Sequence, residues 1–121
     1  MSSASLNNRQ VKALDDYVSI LQGRFGSQLI NVLLFGSAAR GDVKVSSDID
    51  VAVVLNHPTA KDLADARGLA FDIWLSHGVL LSIRAMSRRS WDALADMHSL
   101  YLQNLQHDGI SLLKAPVPLA A

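Results

Sequence analysis

Two predominantly apolar runs, "QLINVLLF" ending at Phe35 and "DVAVVL" ending at Leu55, constrain the fold more than any other feature of the chain. Neither run alternates polar with apolar residues. The first is bounded by Gly26 and Gly36 and the second is ended by "NHP", so each reads as a strand covered on both faces. The rest of the chain supplies the helical cover. From Leu6 to Phe25 the residues Val11, Leu14, Val18, Leu21 and Phe25 recur at three- and four-residue steps, one stripe of a helix that Gly23 and Gly26 help to end. Thr59 fits the N-cap of a second helix running to about Ser76, with Leu63, Ala66, Ala70, Ile73 and Trp74 turned inward and Gly78 just past its end. "VLLSIRA" reads as a third strand. Ser87 or Ser90 suits the cap of a last helical region, broken near His98 and Ser99, that runs to His107 with Gly109 as its stop. The tail "KAPVPLAA" has two prolines and no periodicity, and is expected to fray.

A chain of 121 residues suits one domain with a self-sufficient core. Eleven Lys and Arg balance eleven Asp and Glu, so no overall field favours nucleic acid or an anionic membrane, and any phosphate must be held locally. No direct nucleic-acid binding is expected. The absence of cysteine removes disulfides and thiolate metal sites. "MSSASLNNRQ" has neither a basic n-region nor an apolar h-region, and no stretch is long enough to span a bilayer, so a soluble cytoplasmic protein without membrane contact is expected. Half of the residues are hydrophobic and 18% are charged, which leaves room for an exposed apolar face and for a partner or self-association.

Between the two runs lies the chemistry. Gly36 directly after a buried strand permits a sharp turn and lets an anion approach the backbone N–H groups. Ser37 adds a hydroxyl donor and Arg40 a fork of donors, although Arg40 could equally pair with Asp42 or Asp48 and only shape the loop. Asp48 and Asp50 are two apart at the head of the next strand, where alternate side chains share a face. Two hard oxygen ligands suit Mg²⁺, which is commonly held by one or two carboxylates together with substrate phosphates. A Gly-Ser turn or an Asp before a strand is by itself commonplace; together, with ten residues between Ser37 and Asp48, they point to phosphoryl or nucleotidyl transfer.

The stretch "FGSAARGDVKVSSDIDVAVVL" resembles the nucleotidyltransferases related to DNA polymerase beta, and most closely the minimal nucleotidyltransferases that serve as antitoxins to HEPN-domain ribonuclease toxins. "LYLQNLQHDGISLL" resembles that family's closing helix more weakly. The resemblance implies an α/β (α+β) fold, a short mixed sheet flanked by helices, in a minimal nucleotidyltransferase domain over residues 1–114 with a tail over 115–121. It implies that Gly36 and Ser37 bind the nucleotide triphosphate, that Asp48 and Asp50 are the catalytic, metal-binding pair, and that AMP passes from ATP to a tyrosine of the HEPN partner. It also implies a third carboxylate on a neighbouring strand, where "VLLSIRA" offers only Ser82 and Arg84 on its polar face. Asp72 and Asp92 are the nearest substitutes, each read as a solvated helix charge.

A second class of function therefore stands beside the enzyme: a binding module that neutralises the toxin by covering it. A small-molecule acceptor of the aminoglycoside kind is a further alternative. His57, His77, His98 and His107 have no metal-ligand spacing and read as surface or capping residues. Arg84, Arg88 and Arg89 read as cations on a solvated turn, and Trp74 and Trp91 as core or interface residues.

Overall fold

The computed structural model describes residues 6–36, 48–97 and 109–113. Ser37, Arg40, Asp42, His98, Ser99, His107 and the 115–121 tail lie outside them. The chain opens with helix α1 (Asn8–Phe25), capped by Asn7, whose side chain accepts from the Gln10 N–H at 2.8 Å while Gln10 accepts from the Asn7 N–H at 2.9 Å. A 3-10 turn (Gly26–Gln28) leads to strand β1 (Leu29–Phe35), followed by β2 (Ile49–Leu55), α2 (Ala60–His77), β3 (Leu81–Ser87), α3 (Arg88–Asp96) and the short β4 (Ile110–Ser111). Thr59 caps α2 as expected, in a reciprocal pair with Asp62, and Gly78 follows the helix in the left-handed conformation at φ 69°. Ser87 caps α3 by accepting from the Ser90 N–H at 2.9 Å.

The sheet is mixed, in the order β3-β2-β1-β4. β1 runs antiparallel to β2 and to β4, whereas β2 and β3 are parallel and are joined through α2. Both central strands are buried on the two faces, as their sequences require. One face presents Val32, Leu34, Ile49, Val51, Val53 and Leu55 to α1 and α2 and forms the large core. Tyr17 ties these two helices together by donating its hydroxyl to the Ala66 carbonyl at 2.6 Å, and burial raises its pKa well above that of a free phenol. The other face carries Leu33, Ala52 and Val54, which pack with Ile30 against Trp91 of α3.

Several expectations are corrected. β3 begins two residues later than "VLLSIRA", because Val79 and Leu80 form the approach to the strand and Met86 and Ser87 complete it. Trp74 is 44% exposed and not inward: α2 buries Ala66 and Ile73, and Trp74 sits at the margin of that stripe beside Phe71. Arg84 lies on a strand and Arg88 and Arg89 open a helix, so they do not share a solvated turn. Ile110 and Ser111, within the stretch likened to a closing helix, instead pair with β1, where Ser111 donates to the buried Asn31 side chain at 2.8 Å.

Candidate active site

The register of the sheet brings Gly36, Asp50 and Ser82 to one corner. Phe35, the last residue of β1, pairs with Asp50 of β2, so Gly36 turns away beside that carboxylate. Gly36 has φ 69°, and a Cβ built on it would collide with Asp50 Oδ2 and come within 3.3 Å of Cγ. Only glycine meets both demands, the left-handed backbone and the missing side chain. The start of β2 is fixed against the β3 side by the Ile49 N–H, which donates to the Leu80 carbonyl at 3.0 Å. Ile49 points into the large core and is fully buried, so the two-residue period turns its neighbours Asp48 and Asp50 to the opposite face. Asp48 is exposed and Asp50 half-buried.

On the other side, Asp50 pairs with Ser82 and Ala52 with Arg84. The parallel register puts Ser82, half-buried, and Arg84, exposed, on the face of Asp50. Neither substitute acid completes a set. Asp72 belongs to α2, on the far side of the sheet. Asp92 belongs to α3, which does cover the Asp50 face, but among the described residues no three His, Cys, Asp or Glu side chains gather as metal ligands. Asp92 is nevertheless not fully solvated: the residue is half-buried, and its Oδ1 is buried with no hydrogen-bond partner among the described residues. Sequence reading missed this because the turn of α3 that faces the sheet is set by Trp91, and the position of that ring is a tertiary fact. Among the histidines, His57 has φ 51° after the end of β2, and His77 contacts Asp16 at 2.6 Å between α2 and α1.

Residues 14–87, from within α1 to the last residue of β3, match the family model described as a nucleotidyltransferase domain. The chain belongs to the nucleotidyltransferase domain family. Its matched part contains Gly36, Asp48, Asp50 and Ser82. Spectinomycin 9-adenylyltransferase of Staphylococcus aureus is 48% identical over 40 residues, 33% of this chain and 15% of that protein. A provisionally named protein adenylyltransferase of Methanocaldococcus jannaschii is 40% identical over 43 residues, 36% of this chain and 43% of that one. The matches thus span less than half the length of either relative. Two solved structures share the fold. One, a provisionally named nucleotidyltransferase from Sulfolobus solfataricus, has a TM-score of 0.56 at 21% identity, covering 92% of this chain and 88% of its own. The other, from a toxin–antitoxin structure with AMP-PNP, has a TM-score of 0.53 at 18% identity, covering 84% and 73%. These likenesses agree with the α/β fold and short mixed sheet expected from the sequence. No helix among the described residues is long and apolar enough to cross a membrane.

Proposed function

We propose that the chain is a Mg²⁺-dependent nucleotidyltransferase that acts as an antitoxin, moving AMP from ATP to a tyrosine hydroxyl of a partner HEPN ribonuclease toxin. The observation that carries this reading is the joint between Gly36 and Asp50, where a glycine turn and a carboxylate approach so closely that a side chain at residue 36 has no room. A phosphate can then approach the turn while the acid lies next to it.

The donor chemistry fits Mg²⁺: Asp48 and Asp50 would hold it with two hard oxygens, and the ion, when bound, would neutralise charge on the triphosphate. Gly36 admits phosphate oxygens to the backbone, and in this reading Ser37 and Arg40 add donors to the same grip. Arg84, on the Asp50 face, supplies a cation for charge on the departing pyrophosphate. The reaction forms a bond from the tyrosine oxygen to the α-phosphorus and breaks the bond to the β-phosphate bridge; pyrophosphate leaves, and the phenolic proton passes to water. The antitoxin role draws support from the toxin–antitoxin neighbour with AMP-PNP and from the relative named as a protein adenylyltransferase.

Ser82 favours a second reading. With a hydroxyl opposite Asp50 instead of a third acid, the tyrosine lacks a positioned base, and the chain would neutralise its partner mainly by binding. The spectinomycin-modifying relative supports a small-molecule acceptor instead of a protein. Transfer of label from α-labelled ATP to a co-purified partner toxin separates these readings. The wild type is expected to label the toxin and Asp48→Ala/Asp50→Ala to lose at least about 10²-fold in rate, while Ser82→Asp raises the rate if a base is what the site lacks. Labelling by the double variant at the wild-type rate would overturn the assignment. No labelling by wild type or Ser82→Asp, with the toxin still inhibited, supports the binding module, and labelling of an aminoglycoside alone supports the small-molecule acceptor.

A further inference from the structure

The outer face of α2 carries large apolar side chains that the rest of the described chain does not cover. Phe71 is 58% exposed, Trp74 44% and Leu75 64%, and Leu80 just beyond the helix is 50% exposed. Phe71 and Trp74 pack on each other with ring centroids 5.9 Å apart, so these two rings form one continuous surface. With full aromatic side chains offering about 150–250 Å² each, these fractions leave on the order of 400 Å² of apolar surface on one chain. A patch of that size, roughly 300–600 Å², is the largest that a typical monomer exposes, and such patches are often functional.

We propose that this face is the seat of a two-fold dimer between copies of the chain. Ala64, Gly68, Phe71 and Leu75 follow the spacing i, i+4, i+7, i+11 and form one stripe opposite the buried Ala66 and Ile73. The stripe is small in its N-terminal half and large in its C-terminal half. Reversing one helix against another about a two-fold near residues 69 and 70 seats Phe71 over the partner's Gly68 and Leu75 over the partner's Ala64. The same register sets Arg67 beside the partner's Trp74, a cation against an aromatic face. A two-fold interface uses one patch twice and so must be self-complementary, as this one is.

Nothing among the described residues requires glycine at position 68. A Cβ there meets nothing within 4 Å, and glycine is a poor residue for a helix interior. In the dimer its bareness lets two α2 helices approach closely. Doubling the patch gives roughly 800 Å² of apolar area, most of the roughly 1,000 Å² in total that a specific interface needs. Because α2 lies on the far side of the sheet from Asp50, the dimer leaves the candidate active site open to an acceptor.

Sedimentation equilibrium of the purified full chain tests this. The expected mass at micromolar concentration is twice the 13.1 kDa of one chain. Gly68→Gln and Phe71→Gln should each raise the dimer dissociation constant by at least about tenfold, consistent with the loss of one well-seated contact. Gly68→Gln should leave the circular dichroism spectrum and Tm of the monomer unchanged or improved, since the position is open and the helix gains a better former. A chain that stays monomeric to about 100 μM, or that forms a complex only with a different protein, overturns the proposal. So does a dimer whose dissociation constant Gly68→Gln does not move. None of these outcomes depends on nucleotide transfer.

Discussion

The sheet face that carries Val32, Leu34, Val51 and Val53 is sealed by two long helices, whereas the opposite face is covered by the short α3 around Trp91 and carries Asp50, Ser82 and Arg84 beside it. Both faces belong to the same strands. Side chains on the sealed face exclude water and anchor the backbone; on the opposite face Asp48 and Arg84 are exposed and Asp50 and Ser82 half-buried, so they can carry charge at a smaller desolvation cost and still inherit a fixed geometry. Asp50 is flanked in the strand by Ile49 and Val51, both fully buried on the sealed side. The core on one side therefore holds the carboxylate on the other.

The largest expected effect comes from breaking the sealed face. Leu34→Ala removes a fully buried side chain from the large core and should cost about 3–5 kcal/mol in denaturant unfolding. Leu33→Ala, one residue away but in the smaller cluster and 8% exposed, should cost about 2 kcal/mol. Equal losses, or the reverse order, would erase the contrast between the faces.

Gly36→Ala sharpens the comparison at the corner itself. The positive φ and the collision with Asp50 together should cost about 1–3 kcal/mol. In the Asp50→Ala background the collision is gone, so part of that cost should disappear, and a double-mutant cycle in thermal unfolding should give a non-zero coupling. Strict additivity would mean that Gly36 and Asp50 do not touch.

The smallest effect is electrostatic and lies away from both faces. Asp62 is held below the usual carboxylate range chiefly by the Thr59 N–H, then by Gln28, and Asp65 by hydrogen bonds from Arg24 and Lys61. Folded-state values below the unfolded ones mean that the stabilisation is present above the ordinary carboxylate pKa and is lost as pH falls through the lowered values. A Tm that declines as pH drops below about 4, with a shallower decline in Asp65→Asn, is expected from acid titration monitored by circular dichroism.

Most of the sealed face was legible in the sequence, because continuous apolar runs, a three-and-four helical stripe and capping residues are local signals. Thr59, Gly78 and the two central strands stand where those signals put them. That Ser82 and Arg84 share the face of Asp50 followed from placing two strands side by side, while the exact pairing of Ser82 with Asp50 comes from the register. Other features were not local. β4 is two residues long, too short for a period, and exists because Asn31 and β1 offer it partners. Trp74 lies at the edge of an apolar stripe, and only the packing of α2 on the sheet decides whether such an edge is covered. Gly36 could be read as a turn, but its collision partner could not, because that depends on the β1–β2 register.

The corner of Gly36, Asp48 and Asp50 is proposed as a metal-dependent nucleotide site. Isothermal titration calorimetry with a non-hydrolysable ATP analogue, with and without Mg²⁺, measures that directly in the wild type and in Asp50→Ala. Binding that requires Mg²⁺ in the wild type and falls by at least about tenfold in a folded Asp50→Ala is the predicted result. Binding of equal strength in both proteins, or binding indifferent to Mg²⁺, would contradict it.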